Sequence, residues 1–287
     1  MSWAIVGCGY VGERLLVELS ARGERVVATT RNPERAAALG PAARVVDPRD
    51  AEALARLLPP EAVVVDSVPT DPERGPHMDA LLAACAHAGA QRIVYLSSTG
   101  VYGVPAGTSP GTWIDEETPV TPTTLRGRAR AEEEDRLFAG AAWTGIEALA
   151  LRIAAIYGPG RGVQERLLKG NYRIVEAGGG FVSRIHVDDL VQVILAAGRV
   201  RPLPRSVYLV ADDEPTTVRA HADGVAALLG LPPPDSVPPE SASVVTVEMQ
   251  TGGRRVRNER MKRELGISLR YPSWREGFAA ILRLRSR

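Results

Sequence analysis

Three glycines in Gly7-Cys8-Gly9-Tyr10-Val11-Gly12 are spaced to bring bare backbone against a diphosphate. The first permits a tight turn, the second lets a ligand approach, and the third lets the next helix pack closely on the preceding strand. An apolar run at residues 3–6 precedes the motif, and a helix-like stretch opens at Tyr10. Amides at a helix start, those of Tyr10 and Val11 among them, carry a partial positive charge toward phosphates. The second apolar run ends in Thr29-Thr30-Arg31-Asn32-Pro33-Glu34-Arg35. A site that selects NAD usually places Asp or Glu here, on the ribose hydroxyls. This chain instead offers Thr30 and Arg31, with Arg35 one turn on. Guanidinium groups grip a 2′-phosphate that a carboxylate would repel, so NADP is expected over NAD. Two solvated arginines at a helix start are the alternative. Asp47, closing the third run, either sits near the adenine or caps a neighbouring helix.

These residues need a scaffold that repeats strand and helix. Strand-like runs fall at residues 3–6, 25–29, 44–46, 62–66, 91–97 and 146–152, with helix-like stretches opening near Tyr10, Pro33, Asp50, Pro76 and Leu125. That alternation predicts an α/β fold with a doubly wound parallel sheet, the Rossmann fold. Gly158-Pro159-Gly160 and Gly178-Gly179-Gly180 break the second half into shorter pieces. There a helix is expected after Asp188-Asp189, a strand at 206–210, helices near 216–229 and 273–284, and a loop at 231–243. The expected division is a dinucleotide-binding domain over 1–160, to which 185–212 returns, and a smaller substrate-binding part over 161–287.

The 287 residues carry a net charge of +1, with 45% hydrophobic and 24% charged residues. Nothing in that balance calls for nucleic acid or a membrane surface as partner. Two cysteines, Cys8 and Cys85, make no disulfide framework, which fits a reducing, cytoplasmic setting. No apolar run approaches the roughly 18 residues of a membrane span.

Three further segments carry a resemblance. They are Tyr95-Leu96-Ser97-Ser98-Thr99-Gly100-Val101-Tyr102-Gly103, Leu151-Arg152-Ile153 with Tyr157-Gly158-Pro159-Gly160-Arg161, and Arg184-Ile185-His186-Val187-Asp188-Asp189-Leu190. In this order they resemble the extended short-chain dehydrogenase/reductase family, the nucleoside-diphosphate-sugar epimerases and dehydratases. The glycine spacing departs from that family's usual G-x-x-G-x-x-G and is similar to its atypical members. The resemblance makes Ser98 the residue that hydrogen-bonds a reacting oxygen; without a tyrosine partner, a serine that ends a strand and hydrogen-bonds the cofactor or a loop is the equal alternative. It also implies a tyrosine as general acid/base, with a lysine four residues later on the same helix face. Gly127 and Glu134 fit the surrounding pattern, but Arg126 stands at the tyrosine position and Arg130 at the lysine position. None of the seven tyrosines has a lysine four residues on; Lys169 and Lys262 are the only lysines. A guanidinium stays protonated and does not exchange a proton at neutral pH. Arg130 retains the capacity to hold a ribose or an anion, Arg126 to meet a substrate.

Tyr102 and Tyr157 are weighed as displaced phenols against packing roles, and His186 as a proton donor against a structural one. Tyr157, Arg161 and Arg184 are candidates for contact with a substrate phosphate or carboxylate. Glu132-Glu133-Glu134-Asp135 reads as a solvated helix face, and no His/Cys/Asp/Glu spacing suggests a metal. A helix start beside Cys8 favours a lowered thiol pKa, without partners to make it a nucleophile. Two functions stay open: an NADP-dependent oxidoreductase or epimerase acting on a small polar, sugar-nucleotide-like molecule, and a non-catalytic NADP-binding sensor. A homodimer is a candidate assembly.

Overall fold

The computed structural model describes residues 1–285 apart from 105, 106, 177 and 252. The first half runs β1 (Ser2–Val6), α1 (Tyr10–Ala21), β2 (Arg25–Thr30), α2 (Pro33–Leu39), β3 (Ala43–Val45), α3 (Ala51–Leu57), β4 (Val63–Asp66), α4 (Met78–Ala88) and β5 (Arg92–Ser98). It continues with β6 (Thr112–Ile114), α5 (Leu125–Thr144) and β7 (Glu147–Ile153). Then come β8 (Ala155–Tyr157), α6 (Val163–Leu168), β9 (Ile174–Val175), β10 (Phe181–Val182), β11 (Arg184–His186), α7 (Val187–Arg199) and β12 (Val207–Val210). The chain closes with β13 (Thr216–Thr217), α8 (Val218–Leu228), β14 (Ser236–Val237), α9 (Val244–Thr251), β15 (Arg254–Val256), α10 (Glu259–Glu264) and α11 (Trp274–Arg285).

Seven strands form one sheet in the order β12-β7-β5-β4-β1-β2-β3. The chain winds outward from β1 to β3, then returns to the other side of β1 with β4, paired in parallel at each step. The reversal opens a crevice at the carboxyl ends of β1 and β4, where such sheets bind ligands. The central strands are buried on both faces and so read as unbroken apolar runs: Trp3 to Val6 and Val63 to Val65 are all at most 1% exposed. Trp3 packs against α7 at Gly198, where an added Cβ would lie 2.2 Å from the indole.

The described chain divides into two compact units. The first is Met1–Gly103, Pro122–Arg152 and Val191–Tyr208; the second is Val104–Thr121, Ile153–Leu190 and Leu209–Arg287. Residues 104–121, 153–160, 185–190 and 209–212, expected with the first part, cluster with the second. The reason is local pairing: β6 pairs with β15 and β8 with β11. The second unit has a core of its own, in which Tyr157, Val225, Trp274 and Phe278 pack together. The Tyr157 and Phe278 rings stack with centroids 4.9 Å apart. Among the described residues no helix is long and apolar enough to cross a membrane.

Candidate functional site

The glycine loop follows β1 directly. Gly7 has φ +78°, and an added Cβ would stand 2.7 Å from a Val68 methyl just beyond β4, so the tight turn tolerates no side chain. At Gly12 the same addition would come 3.0 Å from Ile5, which is the close helix–strand packing asked of the third glycine. At Gly9 a Cβ would meet only the Gly7 carbonyl, at 3.9 Å. Gly9 is also the N-cap of α1 and gives no side-chain cap to its amides. Helix α1 therefore begins without a side-chain cap, and a helix start of this kind favours an anion. Cys8 is buried here, and burial pushes its thiol up to about 11 against the influence of Arg35. The lowered pKa expected from the helix start is overturned by desolvation.

Arg31, Arg35, Thr30 and Asp47 surround the ends of β2 and β3. Thr30 accepts a hydrogen bond from the Asn32 amide, and Asn32 caps α2 through the Arg35 amide. The Arg35 guanidinium donates to the Cys8 carbonyl at 2.8 Å and pairs with Glu13, so it braces the glycine loop from outside. Arg31 is exposed and makes no hydrogen bond or ion pair among the described residues. Asp47 takes the Arg49 amide and an ion pair from Arg74 at 2.8 Å; these bonds and the neighbouring guanidinium charges, Arg31 included, lower its pKa.

Ser98 ends β5 and accepts the Gly100 amide through Oγ at 3.1 Å, capping the short turn at Thr99–Tyr102. Arg130 reaches back along β5, donating to the Leu96 carbonyl at 2.8 Å and the Tyr95 hydroxyl at 3.2 Å. Arg126 is exposed, without a hydrogen bond or ion pair among the described residues. Beneath this surface lies a buried chain of polar contacts. Ser97 donates to Glu134, Glu134 holds Arg152 at 2.7 Å, and Arg152 donates to the Tyr102 hydroxyl at 2.8 Å. Tyr102 thus anchors a structural network. Burial raises the phenols of Tyr95 and Tyr157 far above their usual value, which removes both as ready proton donors at neutral pH.

Sequence reasoning missed a second buried cluster in the first unit. His77 Nε2 lies 2.8 Å from Asp66 at the end of β4, and Nδ1 lies 2.8 Å from Glu133 on α5. Glu133 also accepts the amides of His77 and Met78. The acidic run 132–135 is therefore no uniformly solvated face. Helical periodicity turns Glu133 and Glu134 inward beside Leu137, and the arrangement survives because His77 and Arg152 neutralise them. A counter-charge for each carboxylate was present in the sequence but distant in it.

In the second unit Tyr157 and Arg184 line one cavity of about 220 Å³. Arg161 lies in a turn, its backbone paired with Gly158 in both directions, and does not line that cavity. Arg184 is 6% exposed. His186 packs edge-on to Tyr157 and against Tyr271, with Nδ1 facing the Asp188 amide at 3.2 Å. Asp189 accepts the amides of Arg270 and Tyr271 at 2.7 and 2.9 Å. It pins residues 270–271 against the start of α7.

A family model described as NAD dependent epimerase/dehydratase family matches residues 3–211. The chain belongs to that family. Within its range fall the glycine loop, the sheet, Ser98 and the Glu134–Arg152 pair. A Streptomyces protein named 3-diazoavenalumate denitrifying reductase is 31% identical over 94% of this chain and 96% of its own length. A structure of a functionally unknown conserved protein from Silicibacter pomeroyi superposes with TM-score 0.84 at 33% identity, covering 100% of this chain and 99% of that one. A UDP-glucose 4-epimerase of Thermus thermophilus, solved with NAD, reaches TM-score 0.80 at 21% identity over 99% of both chains, a likeness of fold.

Proposed function

We propose that the chain is an NADP-dependent reductase of a small polar substrate that works without a tyrosine–lysine proton relay. The residues present fit a dinucleotide. Gly9 leaves the space a pyrophosphate needs, and the start of α1 carries no competing side-chain cap. In this reading the amides after Gly9 hold the diphosphate and Arg35 stiffens the loop from behind. The observation that carries the preference for NADP is Arg31, exposed and unspent where an NAD site carries a carboxylate. The 2′-phosphate is then gripped by Arg31, as a charge-assisted pair.

When bound, the nicotinamide supplies hydride. Ser98 presents a hydroxyl at the end of β5 for a substrate oxygen, and Arg130 keeps that strand end in place through the Leu96 carbonyl. Neither Arg126 nor Arg130 moves a proton at neutral pH. The proton of the reaction comes from water or the substrate. A reductase in place of an epimerase is favoured by this loss, and by the similarity to a Streptomyces protein whose name is that of a reductase. The same loss favours, as a second reading, a chain that binds NADP and turns nothing over.

Calorimetric titration with NADPH and NADH, wild type against Arg31→Glu, tests the cofactor. NADPH affinity is expected to fall by about tenfold or more, the equivalent of about 1.4 kcal/mol, with NADH little changed. Equal losses remove the NADP assignment. Nicotinamide absorbance followed against a panel of carbonyl and other reducible compounds separates the two readings, since tight binding without turnover on any of them supports the second.

A further inference from the structure

The cavity of about 220 Å³ in the second unit combines aromatic walls with one buried cation. Tyr157, Tyr172 and Phe278 line it, and so does Arg184. Among the described residues the Arg184 side chain makes one hydrogen bond, to the Val182 carbonyl at 2.9 Å, leaving the rest of its donor fork unspent. Its chief counter-charge is Asp212. Among the described residues that carboxyl makes no ion pair and its buried Oδ2 has no partner; burial pushes it up to about 8. His221, 5% exposed, lines the same cavity, and its Nε2 has no hydrogen-bond partner. Burial keeps that ring neutral, well below its usual value. Buried polar groups are rarely left unmet, so an unspent guanidinium and an orphaned imidazole nitrogen on one cavity indicate a ligand that meets them.

Size and charge narrow the ligand. An apolar cavity of about 150 Å³ accepts benzene, so this one takes a single ring with a carboxylate-sized substituent. One buried guanidinium matches a monoanion, and the planar fork matches a carboxylate bidentately. The other cation on the lining, Arg166, is exposed and lies over the Tyr172 ring at 4.7 Å. We propose that this cavity binds a small aromatic monocarboxylate, its carboxylate on Arg184 and its ring among Tyr157, Tyr172 and Phe278. Binding at this cavity does not depend on the reading above.

Titration calorimetry on the full chain tests the assignment with phenylacetate, its neutral analogue phenylacetamide, phenyl phosphate and UDP-glucose, each with and without NADPH. Phenylacetate is expected to bind about tenfold or more tightly than the other three. Arg184→Gln abolishes its advantage over phenylacetamide, and Arg184→Lys keeps part of it. Because Arg184 is buried, Val218→Phe serves as a second variant, filling the cavity without altering a charge; it loses phenylacetate while still binding NADPH. Equal affinity for the acid and the amide overturns the assignment, as does tighter binding of phenyl phosphate or UDP-glucose. So does a protein that takes up NADPH but ignores millimolar phenylacetate. Phenylacetate bound by a chain indifferent to both nicotinamide nucleotides supports the cavity's ligand and removes the reductase reading alone.

Discussion

Replacing His77 by Gln tests the buried cluster that joins β4, α4 and α5. The ring is 1% exposed and faces one carboxylate at each nitrogen, at 2.8 Å on both sides. Burial disfavours its charge, but Asp66 and Glu133 outweigh that and raise its pKa from 6.5 to about 10. The ring is therefore an imidazolium in the folded protein at neutral pH. A rise of that size corresponds to about 5 kcal/mol. Breaking a buried ion pair by removing one partner costs about 3–5 kcal/mol, so the two routes agree. Because the folded pKa is the higher one, this stability is fully present below pH 6.5 and is lost as pH rises toward about 10. Glu133 works in the opposite window: with its pKa lowered, its contribution is present at neutral pH and disappears on acidification. Urea unfolding of wild type and His77→Gln, repeated from neutral to alkaline pH, measures both effects. The variant is expected to lose about 3–5 kcal/mol at neutral pH and to lack most of the alkaline decline. A loss under about 1 kcal/mol, or an alkaline decline that persists unchanged in the variant, refutes the imidazolium assignment.

Gly7→Ala forces a side chain into Val68 at a positive φ; about 1–3 kcal/mol of destabilisation and loss of dinucleotide binding are expected by thermal melt and NADPH titration. Glu134→Gln leaves Arg152 buried without its anion, and a loss of about 3–5 kcal/mol is expected in chemical denaturation. Arg126→Tyr with Arg130→Lys restores a tyrosine and a lysine one helical turn apart. The double variant is expected to fold and bind NADPH without a gain in turnover, and a faster rate in stopped assays with a responsive substrate argues that the wild type does need a protein acid.

The parts of the fold that were legible in the sequence are those fixed by short-range spacing. The glycine loop needs a positive φ at Gly7 and contact at Gly12, and both requirements show as residue type. The central strands show as apolar runs because helices cover both faces of the sheet. The second unit was less legible, since β8, β9, β10, β11 and β13 are two or three residues long and carry no measurable period. The buried ionic clusters escaped for another reason. Asp66, His77 and Glu133 meet only through tertiary packing, and Glu133 sits between Glu132 and Glu134 in what reads as a surface run. Arg184 was named from its motif, but its burial follows from its parallel pairing with Ala155, which no local pattern announces.

Arg126 and Arg130 stand where the resemblance expects a tyrosine and a lysine, and the joint between α5 and β5 rests on other residues of the helix as well. Glu134 and Arg152 lock the helix to the sheet from inside, with Ser97 and Tyr102 saturating their remaining bonds. Gly127 lets the helix start close on the Gly100 carbonyl, where an added Cβ would come within 2.7 Å. Arg130, one turn further, turns its donors to the strand's own carbonyl and to Tyr95. The Glu134–Arg152 pair thus holds α5 to the sheet from inside, and Arg130 adds its own bonds to the end of β5, on which the Ser98 hydroxyl lies. What such a site keeps is the means to bind and align; what it gives up is a proton source held at a set distance. Reactions in which water or the substrate supplies the proton lose little from that exchange, and epimerisation through a protein-held phenol loses its general acid/base.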